Sequence, residues 1–496
     1  MADNLDVLII GAGPVGLALA CELARYGVRL RIVDSDDART TQSRALVMWP
    51  RTLEHLSRMG LDQRFLDVGE KVTEAHFYEG PREFTSVRLD EVDTPYRYAL
   101  MIPQSRTEQL LEERLQELGV RVQRGVTCTS VRQEEDGSLK VGLALPDDSN
   151  EEVEPKWLVG CDGTHSVVRH SAELSFEEHT KPSHWVLADV HLEGAVDRDR
   201  LELHMHADGV LGIFPLPPGR FRVVAAHGHG TGEPTLEEIQ TLLDKRVGRD
   251  LEASDPLWLT SFHISERMVK HFRKGHLLLA GDAAHTHSPS GGQGMNTGMQ
   301  DAFNLAWKLA LILQGHVSKT GAEILLNSYS VERAPVAHSV IAGAGLLTRL
   351  ASLDNLLLNK MRNYAMRTVF GFGTTKAAFA EAASELAVSY DRSPLNGRDD
   401  HIGGGPRVGE RAPLVDTDKP RSAGTKPQFV LYAHRDENAE ELLACYPEWI
   451  EPEIRAPFAE GGIWLVRPDG YVAHAGDSDS WAAADMYLAR LMYEQE

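Results

Sequence analysis

Residues Leu277 to Ala280 form an uninterrupted apolar run, the pattern of a strand covered on both faces, and Gly281-Asp282 ends it. Gly291, Gly292, Gly294 and Gly298 follow, and then Ala302, Ala306, Leu309 and Leu313 recur at helical spacing, with Asp301, Asn304 and Lys308 as a narrow polar stripe. Strand, glycine turn and helix place one acid and one helix start at the carboxyl end of a strand. Open α/β sheets bind ligands there, and the free N–H groups of the helix start suit an anion.

The N-terminus repeats the pattern. Leu5 to Ile10 reads as a strand, Gly11-Ala12-Gly13-Pro14-Val15-Gly16 as a tight turn, and Leu17, Leu19, Ala20 and Leu23 as a helix face. A second strand, Leu30 to Val33, ends at Asp34. This is the dinucleotide-binding βαβ pattern: Gly11 for the turn, Gly13 for approach of a pyrophosphate, Gly16 for helix packing, Asp34 for a ribose hydroxyl. Alone it does not separate a flavin dinucleotide from a nicotinamide one. Trp157 to Cys161 forms another apolar strand, which delivers Asp162-Gly163. Helices are expected from Pro50 to Gly60, where Leu53, Leu56 and Met59 share a face, and from Pro103-Gln104, carrying Leu110, Leu111 and Leu115.

Residues 76–98 are polar and irregular, and between 176 and 270 the period changes to two, so several antiparallel strands are expected. On them His204 and His206 share a face, as do His227 and His229, and either pair could line a pocket. No convergent acid motif accompanies them, so no metal site is expected. Residues 346–395 read as mostly helical, and Gly343-Ala344-Gly345, which follows no strand, as helix packing. A Gly/Pro-rich stretch at 401–427 marks a boundary. Beyond it come a strand at Phe429–Ala433, a hairpin turning at Pro468-Asp469-Gly470, and a last helix bearing Ala484, Met486, Leu488 and Leu491.

Composition narrows the function classes. A chain of 496 residues with net charge -22 makes about two to four domains and repels nucleic acid and anionic membrane. Its four cysteines, Cys21, Cys128, Cys161 and Cys445, form no C-x-x-C pair, so neither a disulfide framework nor a thiol redox centre is expected. Asp3 and Asp6 stand where a signal peptide would be basic, and no stretch is apolar enough to span a membrane; a cytoplasmic protein is expected.

The segment GDAAHTHSPSGGQGMNTGMQDAFNLAWKL, residues 281–309, is similar to the second FAD fingerprint of the single-component (class A) flavin aromatic hydroxylases, the group of the phenol and polyketide hydroxylases. The Asp162-Gly163 segment, Gln104, Arg44 and Tyr329–Pro335 resemble further elements of that family. The resemblance implies an α/β fold: a Rossmann-like FAD-binding domain at 1–75, 99–175 and 275–345, with an inserted antiparallel substrate-binding sheet at 76–98 and 176–274. A helical linker at 346–400 and a thioredoxin-like C-terminal α/β domain at 401–496 complete it. That last domain lacks the cysteine pair, so packing or homodimer contact is its expected role.

The resemblance further implies bound FAD, with NADPH or NADH and dioxygen as co-substrates, and oxygen transfer from a flavin C4a-hydroperoxide to a small aromatic, phenolic or polyketide-like, substrate. FAD contacts are expected at Gly11, Gly13, Pro14, Gly16, Asp34, Arg44, Gln104, Asp162, Gly281, Asp282, Pro289, Gly292, Gly294, Met295 and Asn296. Pro289 and Gly292 would flank the reacting ring, and His204 or His227 is the candidate for substrate deprotonation, chosen on neutral-range titration alone. A reductase or dehydrogenase that never uses oxygen is the rival on the same scaffold. No two tryptophans lie two positions apart, as the W-x-W motif of flavin halogenases would need.

Overall fold

The computed structural model describes residues 5–41, 45–178, 183–227, 232–351, 373–414 and 420–494. A six-stranded sheet runs in the order 273–274, 277–279, 157–160, 7–10, 30–34, 123–124. All neighbours are parallel except the edge strand 273–274. The strands Val7–Ile10, Trp157–Gly160 and Leu277–Leu279 are buried throughout, which is why each reads as a continuous apolar run. They lie side by side and point the same way, so the turns at Gly11, Cys161 and Gly281 leave the sheet at one edge.

Two helices cover one face of this sheet. Pro14–Arg25 follows the first turn, and Gly294–Leu313 follows the last. They cross closely because Gly298 has no side chain: a Cβ there would lie 2.7 Å from Val15 Cγ2 and 3.1 Å from Gly281 Cα. The second helix starts at Gly294, so the glycines form its first turn as well as the loop before it. Its polar stripe is not a solvent face. Asp301, Asn304 and Lys308 are fully buried and bound to the helix Lys319–Ala351, the carboxylate of Asp301 to Arg333 Nε at 2.7 Å and the amine of Lys308 to Glu332 Oε2 at 2.7 Å. Helical spacing identified one polar face; it could not say that a second helix supplies its partners. Gly343-Ala344-Gly345 lies within that second helix.

A seven-stranded sheet stands over the carboxyl edge of the first, in the order 251–264, 183–194, 220–226, 211–216, 200–204, 74–79, 82–88. Its pairs are antiparallel but for one: Arg200–His204 runs parallel to Glu74–Glu79, because these strands come from chain segments that enter the sheet separately. The face turned away from the cavity described below, with Val186, Ala188, Val190, Ile213, Val223 and Ala225, packs under Ile239, Leu242 and Leu243 of the helix Leu236–Arg246. That helix starts in a capping box between Thr235 and Glu238.

The C-terminal segment forms a three-stranded antiparallel sheet, 430–432, 462–466 and 472–477, with the helices Glu437–Cys445 and Trp481–Met492. Its hairpin tip does not project into solvent. Arg467 donates to Glu332 Oε1 at 2.6 Å and Oε2 at 2.9 Å, and Asn304 donates to Asp469 Oδ2 at 3.3 Å. Arg51 reaches the Asp469 carbonyl at 2.7 Å, and Arg411 pairs with Glu54 at 3.0 Å. The helix Gly294–Leu313 is therefore gripped from behind by residues more than 150 positions further along the chain. Among the described residues no helix is long and apolar enough to cross a membrane.

Candidate active site

Gly11 adopts φ +100°, and a Cβ there would sit 2.4 Å from the Cys161 carbonyl oxygen. At Gly16 a Cβ would lie 2.0 Å from the Gly11 oxygen. Packing of the protein against itself demands glycine at both. Gly13 is different, because a Cβ there would meet no atom within 4 Å and the residue lines a cavity. Space has been left at that point that the fold does not use.

Asp34 closes the βαβ unit. Its Oδ2 accepts the Ala12 amide at 2.5 Å and its Oδ1 the Asp36 amide at 2.9 Å, so two backbone donors fix a carboxylate at the strand end. Gln104 opens the helix Gln104–Glu117 and lines the cavity; its side chain accepts from the Ala45 amide at 3.4 Å and donates to Glu108 at 2.9 Å. Arg44 lies outside the described residues.

Asp162 turns away from the cavity. Its Oδ2 accepts the amides of Val167 at 2.7 Å and Val168 at 3.3 Å, securing the short helix Val167–Ser171, while burial raises its pKa. The following residues Gly163, Thr164 and His165 form the wall instead. Asp282 is exposed and faces the cavity, together with Pro14, Pro289, Gly292, Gly294 and Met295. Gly281, with φ +61°, sits below, where a Cβ would press on Val15. Asn296 is buried outside the wall and acts as a staple: its Oδ1 accepts the Trp49 amide and its Nδ2 donates to the carbonyls of Val47 and Gly292, at 2.9, 2.9 and 3.1 Å.

The cavity holds about 1210 Å³ between the strand ends and the seven-stranded sheet. Trp185, Leu187, Leu203, Phe214, Trp258 and Phe262 make its sheet wall largely apolar. The charged group of that sheet wall is Arg222, whose Nε and Nη2 donate to Asp189 at 2.7 and 2.8 Å, both groups buried; Thr260, Ser261 and His263 add polar atoms to it. Arg222 Nη1 also approaches the Ala45 carbonyl at 3.5 Å, tying the sheet to the loop beside Gln104.

His204 and His227, the candidates for substrate deprotonation, both lie off the cavity wall. Leu203 faces the cavity, so alternation turns His204 to the opposite side, where it is fully buried, stacked on Tyr78 at 4.8 Å and bound to Glu202 at 3.1 Å. Burial lowers its pKa, and it is absent from the cavity wall. His227 is half-buried at a strand end, bonded through its backbone to His184, and is likewise absent from the wall; His229 lies outside the described residues. Among the described residues, the histidines on the wall are His165, His263 and His287. His165 follows the Asp162-Gly163 turn and His287 falls in the glycine-rich loop, so both carried a positional signal in the sequence. Burial first, and then the neighbouring His285, which itself binds Asp301 at 2.7 Å, lower the His287 pKa.

Residues 4–344 match the family described as FAD binding domain. The chain is 34% identical to the 6-methylpretetramide 4-monooxygenase of Streptomyces rimosus over 520 residues, covering 96% of this chain and 91% of that one. It is 37% identical to a rifampicin monooxygenase of Streptomyces venezuelae over 357 residues, 70% of this chain and 72% of that one. Among solved structures, the OxyS anhydrotetracycline hydroxylase of Streptomyces rimosus superposes with a TM-score of 0.79 at 30% identity, covering 99% of each chain.

Proposed function

Because the chain belongs to the FAD binding domain family, and its relatives include aromatic and polyketide monooxygenases, we propose that it hydroxylates a small aromatic, polyketide-like compound with FAD, NAD(P)H and dioxygen. The observation that carries this reading is one cavity with two unlike walls. One wall is built of strand ends with glycines, one acid, Asp282, and a helix start; the other is an aromatic sheet face.

The residues present suit FAD. The unfilled space at Gly13 fits a pyrophosphate, the amide-fixed Asp34 fits ribose hydroxyls, and Asp282 can accept hydroxyls of a ribityl chain. Pro289, Gly292, Gly294 and Met295 would border the ring, and the start of the helix Gly294–Leu313 favours negative charge on it. Bound FAD supplies the transfer of electrons from the nicotinamide and the activation of dioxygen. The chain supplies orientation and dryness. Trp185, Phe214, Trp258 and Phe262 exclude water from the ring of the substrate, and Arg222, held in place by Asp189, offers an oriented guanidinium N–H to a phenolic oxygen.

In this reading residues 1–75, 99–175 and 275–345 serve the cofactor, and 76–98 with 176–274 serve the substrate. The thioredoxin-like segment 401–496 braces the cofactor helix and does no redox chemistry, since its single cysteine, Cys445, has no partner cysteine in that span.

Turnover of an aromatic substrate under isotopically labelled dioxygen separates this from the oxygen-free reductase. One labelled oxygen atom in the product is expected. Substrate-stimulated NAD(P)H consumption that yields an unlabelled product would replace the reading with the reductase.

A further inference from the structure

The helix Gly373–Ala383 ends beside the start of the cofactor helix, and the way it ends is unusual. Glu385 has φ +61°, the left-handed conformation that closes many helices and that glycine normally takes there. A glutamate in that conformation is strained where a glycine would not be. It is also 3% exposed. The sequence thus keeps a carboxyl where both the backbone and the desolvation oppose it, which calls for a compensating role.

Its contacts supply one. Glu385 Oε1 lies 3.1 Å from Thr297 Oγ1, and Oε2 accepts from Gln300 Nε2. Both partners sit in the first turns of the helix Gly294–Leu313. Around them, Gln293 Nε2 donates to the Ala382 carbonyl at 3.2 Å and the Arg51 amide to the Ser384 carbonyl at 3.3 Å. The charged groups facing Glu385 are Arg333 on the helix Lys319–Ala351 and Asp301 on the cofactor helix, and Arg333 is already committed to Asp301 at 2.7 Å. Among the described residues no cation hydrogen-bonds to Glu385, whose side-chain partners are a hydroxyl and an amide. Asn296 fixes the cavity side of the helix start, and Glu385 fixes the other.

We propose that Glu385 is a latch: as a neutral acid it locks the end of the helix Gly373–Ala383 onto the first turns of the cofactor helix, and its ionisation loosens that helix start and weakens FAD binding. The cofactor half of this statement rests on the reading above; the latch itself does not. Burial pushes the Glu385 carboxyl up to about 8, against the opposing effect of the Thr297 hydrogen bond. A carboxyl raised in the folded state favours folding while it is protonated, so its contribution is complete at low pH, declines from about pH 4.5 upward and is lost as pH rises through about 8.

The test uses the full chain with FAD. Cofactor affinity, followed by flavin fluorescence, is expected to fall about tenfold between about pH 7 and about pH 9.5, with a midpoint near 8. In Glu385→Gln, which keeps the shape and the hydrogen-bonding capacity without the charge, the affinity is expected to be flat over that range. Hydrogen exchange of the amides of residues 297–301 in the unaltered protein gives an independent readout, with protection expected to drop above about pH 8. A pH transition that persists in Glu385→Gln, or protection that does not change with pH, overturns the latch. If FAD fails to bind at any pH, the cofactor reading falls, and the exchange measurement still decides the latch.

Discussion

A Gly13→Val variant is expected to fold with the stability of the parent chain and to lose FAD affinity by about two orders of magnitude or more. The expectation comes from the contrast between neighbouring glycines. At Gly11 and Gly16 an added Cβ strikes the Cys161 or the Gly11 carbonyl at 2.4 and 2.0 Å, so substitution there disrupts the turn itself. At Gly13 the φ is an ordinary -73° and nothing stands within 4 Å. A side chain there therefore starts into the space left for the pyrophosphate and not into the turn. Thermal melting of the apoprotein and fluorescence titration with FAD measure the two quantities separately. Unchanged FAD affinity in Gly13→Val would remove the phosphate from that turn.

Arg467→Met is expected to destabilise the folded chain by about 3–5 kcal/mol, much of the margin that a typical domain possesses. Arg467 lies in a buried set with Glu332, Asp469, Asn304 and Lys308. Burial alone would raise the Glu332 pKa, but Arg467 and then Lys308 hold it well below the usual carboxylate range. Burial brings Lys308 down to about 8, with Glu332 opposing. Removing the guanidinium leaves two carboxylates facing one weakened cation without water. Because these groups lie along the back of the helix Gly294–Leu313, FAD release should accompany the loss of stability. Denaturant unfolding followed by flavin fluorescence and by far-ultraviolet circular dichroism should give coincident transitions, both moved to lower denaturant. A shift smaller than about 1 kcal/mol would show that the C-terminal hairpin is not a brace.

The parts of this molecule that were legible in its sequence are those where backbone geometry dictates residue type. Doubly covered strands must be apolar at every position, and turns beneath a ligand must carry glycine at fixed offsets, so Val7–Ile10, Trp157–Gly160, Leu277–Leu279 and their turns stood out. What stayed hidden depends on partners distant in the chain. Asp301, Asn304 and Lys308 read as a polar stripe whether they meet water or the side chains of Arg333, Glu332 and Asp469. Alternation put His204 on the face opposite Leu203, but only the packing of the sheet against the strand ends decides which face is the cavity. The Asp162-Gly163 motif marked the right turn, yet the carboxylate secures the local helix while Gly163, Thr164 and His165 form the wall. Glu385 carried no signal at all, since nothing local announces a left-handed glutamate.

Whether three strand ends hold one flavin is tested most directly by equilibrium titration of the purified chain with FAD. One FAD per chain is expected, with the flavin fluorescence quenched and a yellow protein recovered after gel filtration. A colourless protein that leaves added FAD free in solution would contradict it.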